Sequence, residues 1–378
     1  MPLDLSFATT RGLTARPGAA RDLAAILRPL DTRHLLVVTD RGVVKAGLLK
    51  EPLAALERAS IRTTVYDAVV ADPPFHVVQA AADAALAAGV DGVLGFGGGS
   101  PMDVAKLVAV LAGSPQTLDT MYGMGQVTGP RLPLVLVPTT AGTGSEVTPI
   151  AIVTTGESEK KGVVSPVLLP DAAVLDPELL LGLPKPVTAA TGIDAMVHAI
   201  EAYTSRHKKN PISDALAREA LILLARGLPR AWADGSDLEA RSDTALGSCL
   251  AGIAFANAPV AAVHALAYPV GARFHVPHGV SNSLVLPHVL RFNMEGAAGL
   301  YAELAPLIDV KQSGQPLPEL MASLARELEV PLRLRDVGIG EEDLPHLARD
   351  SMNQTRLLVN NPREVAEADA LAIYREAF

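Results

Sequence analysis

Residues 91–106 read DGVLGFGGGSPMDVAK, and a run of glycines there joins an apolar segment to a helical pattern. The apolar run Asp91–Phe96 is predicted to be a strand, and Pro101–Ala112 is predicted to be a helix. Ser100 is expected to cap that helix, because a serine hydroxyl can accept from a free N–H of the first turn. The stretch is typical of a strand–turn–helix unit in an α/β protein.

The glycine run predicts a phosphate-binding turn. Glycines let a ligand approach the backbone closely, and a helix N-terminus offers free N–H groups and the positive end of a dipole. The pattern is not the usual GxGxxG of dinucleotide-binding folds, because Ser100 stands where the last glycine would be. A tight turn without a ligand remains the alternative. The predicted phosphate-binding residues are Gly97, Gly98, Gly99 and Ser100.

Three more apolar runs in the first half predict further strands. They are His34–Val38, Ile61–Tyr66 and Leu134–Val137, and helical patterns lie between them near Lys45–Arg58 and Pro74–Ala88. Strands that alternate with helices predict a parallel sheet with helices on both faces.

The second half is predicted to be all helical. Long helical patterns cover residues 189–204, 213–226, 238–256 and 260–274, and no convincing strand follows residue 184. Prolines at positions 184 and 186 mark a boundary, since the residue between two prolines cannot continue a helix. We predict a nucleotide-binding α/β domain at residues 1–184, a helical domain at residues 185–378, and an active site in the cleft between them.

A polar loop, PTTAGTGSE at residues 138–146, follows the fourth predicted strand. Ligands of open α/β sheets bind beyond the carboxyl ends of the strands, so this loop predicts a second part of the ligand site. Asp40 follows the first predicted strand, where a carboxylate can bind both ribose hydroxyls of NAD and would repel the extra phosphate of NADP. The alternative for the loop is a plain linker, and the alternative for Asp40 is a turn-forming aspartate before Gly42.

Asp194 and His198 are four residues apart in a predicted helix, which places both side chains on one face. A carboxylate and an imidazole at this spacing can bind one divalent ion, and His264 and His278 would complete a tetrahedral set. This set suits Fe(II) or Zn(II) better than Mg²⁺ or Ca²⁺, which prefer more oxygen ligands. The rival ligands are His275 and His288.

The composition argues against several classes of function. A net charge of −9 argues against nucleic acid as a partner, because phosphate contacts need clustered lysine and arginine. The single cysteine, Cys249, cannot form an internal disulfide or a four-cysteine zinc site. The N-terminus has no signal-like pattern, and no uncharged apolar run reaches about 18 residues. We therefore expect a cytoplasmic protein without a membrane span.

Four stretches together make the sequence similar to the iron-containing (group III) alcohol dehydrogenases over essentially its full length. They are GFGGGSPMDVAK at 95–106, PTTAGTGSE at 138–146, ATGIDAMVHAIEAYTS at 190–205 and VHALAYPVGARFHVPHGVSNSLVLPHVLRFN at 263–293. Their order is specific for the family and not for a substrate. The resemblance implies hydride transfer between NAD or NADP and a small alcohol or aldehyde, by a homodimer or a larger homo-oligomer.

The resemblance also implies roles for individual residues. The glycine turn with Ser100 would hold the diphosphate of the cofactor, and Asp40 matches an acid that favours NAD. The residues implied to line the rest of the cofactor site are Thr139, Thr140, Thr143 and Lys160. The implied metal ligands are Asp194, His198, His264 and His278, and the implied ion is Fe(II) or Zn(II).

One position departs from the family pattern. Many members have a histidine four residues after the third metal ligand, where this chain has Tyr268. Proton transfer through Tyr268 or His275 is therefore a hypothesis, with the ribose hydroxyl and water as the alternative. The other functions that the sequence leaves open are a glycerol-type polyol dehydrogenase, a metal-independent reductase of the same superfamily, a lyase similar to dehydroquinate synthase and a non-catalytic protein of this fold.

Overall fold

A computed structural model describes residues 5–156 and 159–378, which divide into two compact units. The α/β unit comprises Ala8–Thr140 and Gly144–Leu181. The helical unit comprises Gly182–Phe378, the short stretch Ala141–Thr143 and residues 5–7. The domain bounds 1–184 and 185–378 stay a prediction.

The α/β unit contains the strands. They are β1 (Gly12–Ala15), β2 (His34–Asp40), β3 (Arg62–Val69), β4 (Gly92–Gly97), β5 (Gly123–Met124), β6 (Leu134–Pro138), β7 (Ile150–Thr155), β8 (Glu159–Val164) and β9 (Ala172–Leu175). Six of them form a parallel sheet in the order β1-β9-β6-β4-β2-β3. The other three form a small sheet in the order β5-β8-β7, in which β7 and β8 are antiparallel.

Helices accompany the sheet and make up the second half. The helices of the α/β unit are α1 (Leu23–Leu27), α2 (Arg41–Lys45), α3 (Lys50–Arg58), α4 (Phe75–Ala88) and α5 (Gly99–Gly113). Those of the helical unit are α6 (Lys185–Thr204), α7 (Pro211–Ala233), α8 (Leu238–Asn257), α9 (Ala262–Phe274), α10 (His278–Ile308), α11 (Leu317–Glu327), α12 (Leu344–Ser351), α13 (Thr355–Leu358) and α14 (Glu367–Ala377).

Both faces of the six-stranded sheet are buried, as the apolar runs predict. Leu36 and Val38 of β2 belong to one core cluster, which includes residues of α4 and α5. Leu35 and Val37 point to the other face and belong to a second cluster with residues of α1 and α3. A strand that is buried on both faces reads as a continuous apolar run rather than an alternating one. The predicted α/β sheet with helices on both faces is confirmed.

The structure also corrects several predicted elements. The four predicted strands correspond to β2, β3, β4 and β6, whereas β1, β9 and the small sheet were not predicted. The strands β1 and β9 have only four residues each, too few to show a period. The helix predicted near Lys45–Arg58 begins later, at Lys50, because α2 ends at Lys45 and the chain turns at Gly47, whose φ is 75°.

The central helix of the helical unit is α6, which is buried along almost its whole length. It packs against α7, α8 and α10. A Cβ atom on Gly192 would lie 2.3 Å from Leu228 Cδ1, so glycine lets α7 approach α6 closely. Pro186 lies in the first turn of α6, where a missing N–H costs no hydrogen bond.

Within the described parts of the chain, no single helix has both the length and the apolar composition to cross a membrane. The pair α8 and α9 meets that test only when taken together, and the two helices are bent by 107° relative to each other.

Candidate cofactor and metal sites

The turn between β4 and α5 exposes the start of a helix without a side-chain cap. Gly98 is the N-cap of α5, and no side chain of the described residues caps it. The predicted N-cap at Ser100 is therefore wrong, since the helix already begins at Gly99. Free N–H groups and the positive end of the dipole favour an anion at such a helix start.

A cavity of about 540 Å³ lies at this turn. Its lining includes Asp40, Gly98, Gly99 and Ser100, together with the end of β3 and the residues that follow it. The volume falls within the range of about 300–1,000 Å³ that is usual for small-molecule sites. A Cβ atom on Gly97 would lie 2.7 Å from Pro101 Cγ, so only glycine fits where the strand turns into the helix. Three of the four predicted phosphate-binding residues, Gly98, Gly99 and Ser100, therefore line one cavity.

Asp40 ends β2 and lines the same cavity. Its Oδ1 accepts a hydrogen bond from the backbone N–H of Val43 at 2.9 Å and caps α2. Its Oδ2 would lie 3.5 Å from a Cβ atom on Gly97. The carboxylate is therefore fixed in orientation next to the glycine turn.

The threonine loop (residues 138–146) follows β6, and its first residues lie against the glycine turn. The N–H of Thr139 donates to the carbonyl of Gly97 at 2.9 Å. A Cβ atom on Gly98 would lie 3.6 Å from Thr140 Oγ1, which places the Thr140 hydroxyl beside that glycine. Thr143 belongs to the helical unit. Two of the three predicted threonines, Thr139 and Thr140, therefore lie at the glycine turn itself.

Lys160 lies on β8 and forms an ion pair with Asp72, with 2.6 Å between Nζ and Oδ1. Asp72 directly follows Val70 and Ala71, which line the cavity. The hydroxyl of Thr154 on β7 donates to the carbonyl of Asp72 at 2.9 Å. Lys160 thus helps to anchor the chain beside the cavity, and its contact with a cofactor stays a prediction.

A buried lysine network beneath the threonine loop was missed by sequence reasoning. Lys106 on α5 is fully buried, and its Nζ donates to the carbonyl of Ile150 at 2.6 Å and to the hydroxyls of Ser145 at 2.8 Å and Thr148 at 3.2 Å. The Ser145 hydroxyl donates to Asp103 Oδ1 at 2.6 Å. Asp103 therefore joins α5 to the end of the threonine loop.

Burial dominates the charges of this network. It lowers the pKa of Lys106, and the nearby Asp103 and Glu146 carboxylates oppose that shift. Burial also raises the pKa of Glu146 to about 7, against the opposing effect of Lys106. Each shift reflects the cost of carrying a charge away from water. The network therefore holds the end of the threonine loop and the residues that follow it.

Three predicted metal ligands converge in the interior of the helical unit. One ligand atom each from Asp194, His198 and His264 lies within 4.8 Å of the others, and all three side chains are buried. The Nε2 atoms of His198 and His264 are 4.0 Å and 3.7 Å from Asp194 Oδ1. Ligand atoms about 2.1 Å from a tetrahedral ion would be about 3.4 Å apart. The donor set therefore fits a divalent ion at nearly the distances it would require.

The fourth predicted ligand approaches the same carboxylate from the start of α10. His278 Nε2 is 3.6 Å from Asp194 Oδ1, although a third of its side chain is exposed. His278 is not part of the compact three-residue group, so its place in the ligand set stays a prediction. The rival ligand His288 is instead 3.7 Å from Glu376 Oε2.

Hydrogen bonds on the far side of each ring orient the histidines. His198 Nδ1 is 3.1 Å from the carbonyl of Gly142, which can only accept, so Nδ1 carries the proton. His264 Nδ1 is 2.6 Å from Glu201 Oε2, and this pair fixes the same tautomer. Nε2 of both rings therefore carries the lone pair on the side of Asp194, as a metal ligand requires, and Asn282 Nδ2 lies 3.4 Å from His264 Nε2.

Asn282 completes the surroundings of the carboxylate. Its Nδ2 donates to Asp194 Oδ1 at 2.7 Å. Its own Oδ1 is buried and has no hydrogen-bond partner within the described residues. An unsatisfied buried oxygen next to a carboxylate and several imidazoles is expected where an ion or a water molecule binds.

Without a cation, burial favours the uncharged forms of Asp194, His198, Glu201 and His264. It raises the pKa of Asp194 to about 8 and that of Glu201 to about 7. It lowers the pKa of His264 to about 3 and that of His198 well below its ordinary value. Neutral imidazole is the form that binds metals, so the histidines are held in their ligand state.

Aromatic rings surround the histidines. Phe255 stacks on His198 with 4.3 Å between ring centroids, and Tyr268 lies 5.7 Å from His278 by the same measure. His275, the other predicted proton-transfer residue, is exposed and ends α9 with a φ of 54°. The structure therefore brings Tyr268 beside a predicted ligand and places His275 at a helix end, and both roles stay predictions.

Family models match both halves of the chain. The model described as iron-containing alcohol dehydrogenase matches residues 12–177, and that of the C-terminal part of the Fe-containing alcohol dehydrogenase family matches residues 188–378. The chain is an oxidoreductase that interconverts alcohols and aldehydes by hydride transfer. It belongs to the iron-containing alcohol dehydrogenase family, as its motifs predict.

Relatives and solved structures agree over nearly the whole length. The chain is 41% identical to long-chain-alcohol dehydrogenase 1 of Geobacillus thermodenitrificans (strain NG80-2), a match that covers 96% of this chain and 93% of the relative. It is 35% identical to a crystal structure of 1,3-propanediol oxidoreductase, with a TM-score of 0.95 and complete coverage of both chains. Sulfoacetaldehyde reductase from Bifidobacterium kashiwanohense, solved in complex with NAD⁺, is 28% identical with a TM-score of 0.90 and 99% of each chain covered.

Proposed function

We propose that this chain is a NAD-dependent alcohol dehydrogenase or aldehyde reductase that requires a divalent metal ion. Fe(II) and Zn(II) are the candidate ions, and NADP is the second candidate cofactor. The observation that carries the proposal is the buried convergence of Asp194, His198 and His264. When bound there, the ion supplies a Lewis acid that polarises an alcohol or carbonyl oxygen.

The chain's own residues prepare this centre. Asp194 supplies the only carboxylate of the proposed ligand set, and its orientation is held by the amide of Asn282. His198 and His264 present unprotonated Nε2 atoms, because Gly142 and Glu201 hold the protons on Nδ1. The apolar ring of Phe255 covers His198 and limits the access of water to it.

The cofactor assignment is supported by the cavity at the glycine turn. The start of α5 would bind the diphosphate, and Asp40 would accept from the ribose hydroxyls. The negative charge of Asp40 disfavours an added 2′-phosphate, which supports NAD over NADP. A solved relative that carries NAD⁺ points the same way. NAD supplies the hydride acceptor, and the protein supplies its position.

A small alcohol, diol or aldehyde is the proposed substrate class. The named relatives act on substrates as different as a long-chain alcohol and 1,3-propanediol, so a panel of both kinds is the appropriate screen. A homodimer or larger homo-oligomer is also proposed, and light scattering after size-exclusion chromatography tests it.

Elemental analysis of anaerobically purified protein is the first test, paired with NADH oxidation by aldehydes before and after chelation. We expect about one Fe or Zn per chain, with activity lost on chelation and restored by Fe(II) or Zn(II). The His198→Ala variant should lose both metal and activity, whereas His346→Ala, at an exposed position of α12, should keep both. Activity that is indifferent to chelator would instead indicate a metal-independent reductase.

A further inference from the structure

Glu201 lies on the same face of α6 as the two metal ligands of that helix. The spacing Asp194, His198, Glu201 corresponds to positions i, i+4 and i+7, which is one stripe of a helix. The Glu201 side chain is only 5% exposed and is surrounded by the interior of the helical unit. A buried glutamate needs partners for both oxygens, and this one has them.

Both oxygens of Glu201 contact the beginning of α9. Oε1 accepts from the backbone N–H of Val263 at 2.7 Å. Oε2 accepts from His264 Nδ1 at 2.6 Å. The carboxylate therefore binds both the backbone at the start of the helix and the side chain of its ligand residue.

We propose that Glu201 is a positioning residue, which fixes the tautomer and the ring orientation of His264 for metal binding. The proposal rests on the proposed metal-dependent function. Accepting from Nδ1 leaves the lone pair of His264 on Nε2, the atom that is 3.7 Å from Asp194 Oδ1. Because the Val263 contact fixes the carboxylate relative to the α9 backbone, the imidazole cannot rotate without breaking a short hydrogen bond.

The other buried histidine shows why a carboxylate at this place matters. His198 Nδ1 is instead paired with the neutral carbonyl of Gly142. An anionic acceptor strengthens the hydrogen bond and makes the opposite nitrogen a better donor to a metal. When a divalent ion binds, Asp194 and Glu201 can both ionise, and their two negative charges then match the charge of the ion among otherwise neutral imidazoles. The charge of Glu201 therefore favours the binding of a divalent ion at this centre.

Metal affinity measured without catalysis tests the inference. Zn(II) binding to the purified full-length chain would be measured by competition with a chromophoric chelator. The Glu201→Gln variant keeps the shape but loses the charge and one acceptor, and we expect its Zn(II) affinity to fall about 10- to 100-fold. The control is Glu295→Gln, at a largely exposed glutamate of α10, which should bind Zn(II) as tightly as the unaltered chain.

A second readout separates positioning from a purely structural role. The visible absorption of bound Co(II) reports the ligand geometry, and it should change in Glu201→Gln but not in Glu295→Gln. Should Glu201→Gln not fold, Glu201→Asp takes its place, because it keeps the charge but withdraws the carboxylate from His264. Unchanged affinity and an unchanged Co(II) spectrum in the Glu201 variant would overturn this inference and leave the proposed function standing. An unaltered chain that binds no Zn(II) would overturn both.

Discussion

The backbone of Gly279 lies so close to Ala190 that a Cβ atom on the glycine would be 2.1 Å from the Ala190 carbonyl oxygen. Ala190 is one helical turn before Asp194 on α6, and Gly279 directly follows His278 at the start of α10. The two helices therefore approach each other at the level of the metal centre. The obstacle is backbone, so no change of side-chain rotamer can relieve it.

Replacing Gly279 by alanine should push α10 away from α6 and move His278 from Asp194. We expect a loss of about 1–3 kcal/mol in the free energy of unfolding, as is usual for overpacking, and weaker Zn(II) binding. Chemical denaturation and chelator competition measure the two effects. Gly299→Ala on the same helix is the matched control, because a Cβ atom there meets nothing within 4 Å. Equal stability and equal Zn(II) affinity of the two variants would contradict the close approach of α10 to α6 at the metal centre.

Asp40→Asn separates the charge of Asp40 from its capping role. Asparagine can still accept from the Val43 N–H, so α2 keeps its cap. Without the negative charge, a 2′-phosphate should be tolerated better, and kcat/KM for NADP relative to NAD should rise about tenfold or more. Steady-state kinetics with both cofactors measure the ratio, with the exposed Asp83→Asn of α4 as control. A ratio that does not move would show that Asp40 does not face the ribose.

Lys106→Met should destabilise the α/β unit. The methionine fills a similar volume but leaves the Ile150 carbonyl and the Ser145 and Thr148 hydroxyls without their buried donor. We expect a loss of about 3 kcal/mol or more in the free energy of unfolding, together with a higher KM for the cofactor. Urea denaturation measures the first effect. The exposed Lys50→Met of α3 should change stability by no more than about 0.5 kcal/mol.

Glu146→Gln should have an effect on stability that depends on pH. Burial raises the pKa of Glu146 from 4.5 to about 7, so the folded state binds the proton more tightly than the unfolded state. The stability contributed by the protonated acid is complete below pH 4.5 and is lost as the pH rises to 7. The free energy of unfolding of Glu146→Gln should therefore rise relative to that of the unaltered chain over this pH range, by roughly 3 kcal/mol at most.

Unfolding measured at pH 5 and pH 8 tests this difference. Glu57→Gln, at an exposed position of α3, controls for the loss of one negative charge. A gain that is the same at both pH values would mean that Glu146 remains ionised throughout.

The sequence is sufficient to predict features whose residues lie close together along the chain. The strand before the glycine turn and the Asp194 and His198 pair each lie within one short element, so their spacing is enough. The cap at Ser100 was predicted wrongly, because the helix begins one residue earlier, at Gly99, with Gly98 as its N-cap. Asp103 in the same helix accepts from Ser145, a partner distant in the sequence that only the fold provides.

The outer parts of the metal centre depend on such distant partners. A glutamate on a helix is ordinarily solvent-exposed, and nothing near Glu201 in the sequence shows that His264 will lie against it. The carbonyl of Gly142 has no side-chain signal at all, although it orients His198. The stripe of Asp194, His198 and Glu201 along one helix is the signal that could have revealed the third residue.

The predicted ligands come from three separate helices, α6, α9 and α10, spread from residue 194 to residue 278. An ion held by all of them is a removable cross-link through the centre of the helical unit. It binds the assembled unit and not the separated helices. A free ion concentration a hundredfold above Kd should therefore raise the free energy of unfolding by about 2.7 kcal/mol, and the melting temperature should rise with it. Metal supply would then govern how long the protein survives as well as how fast it works.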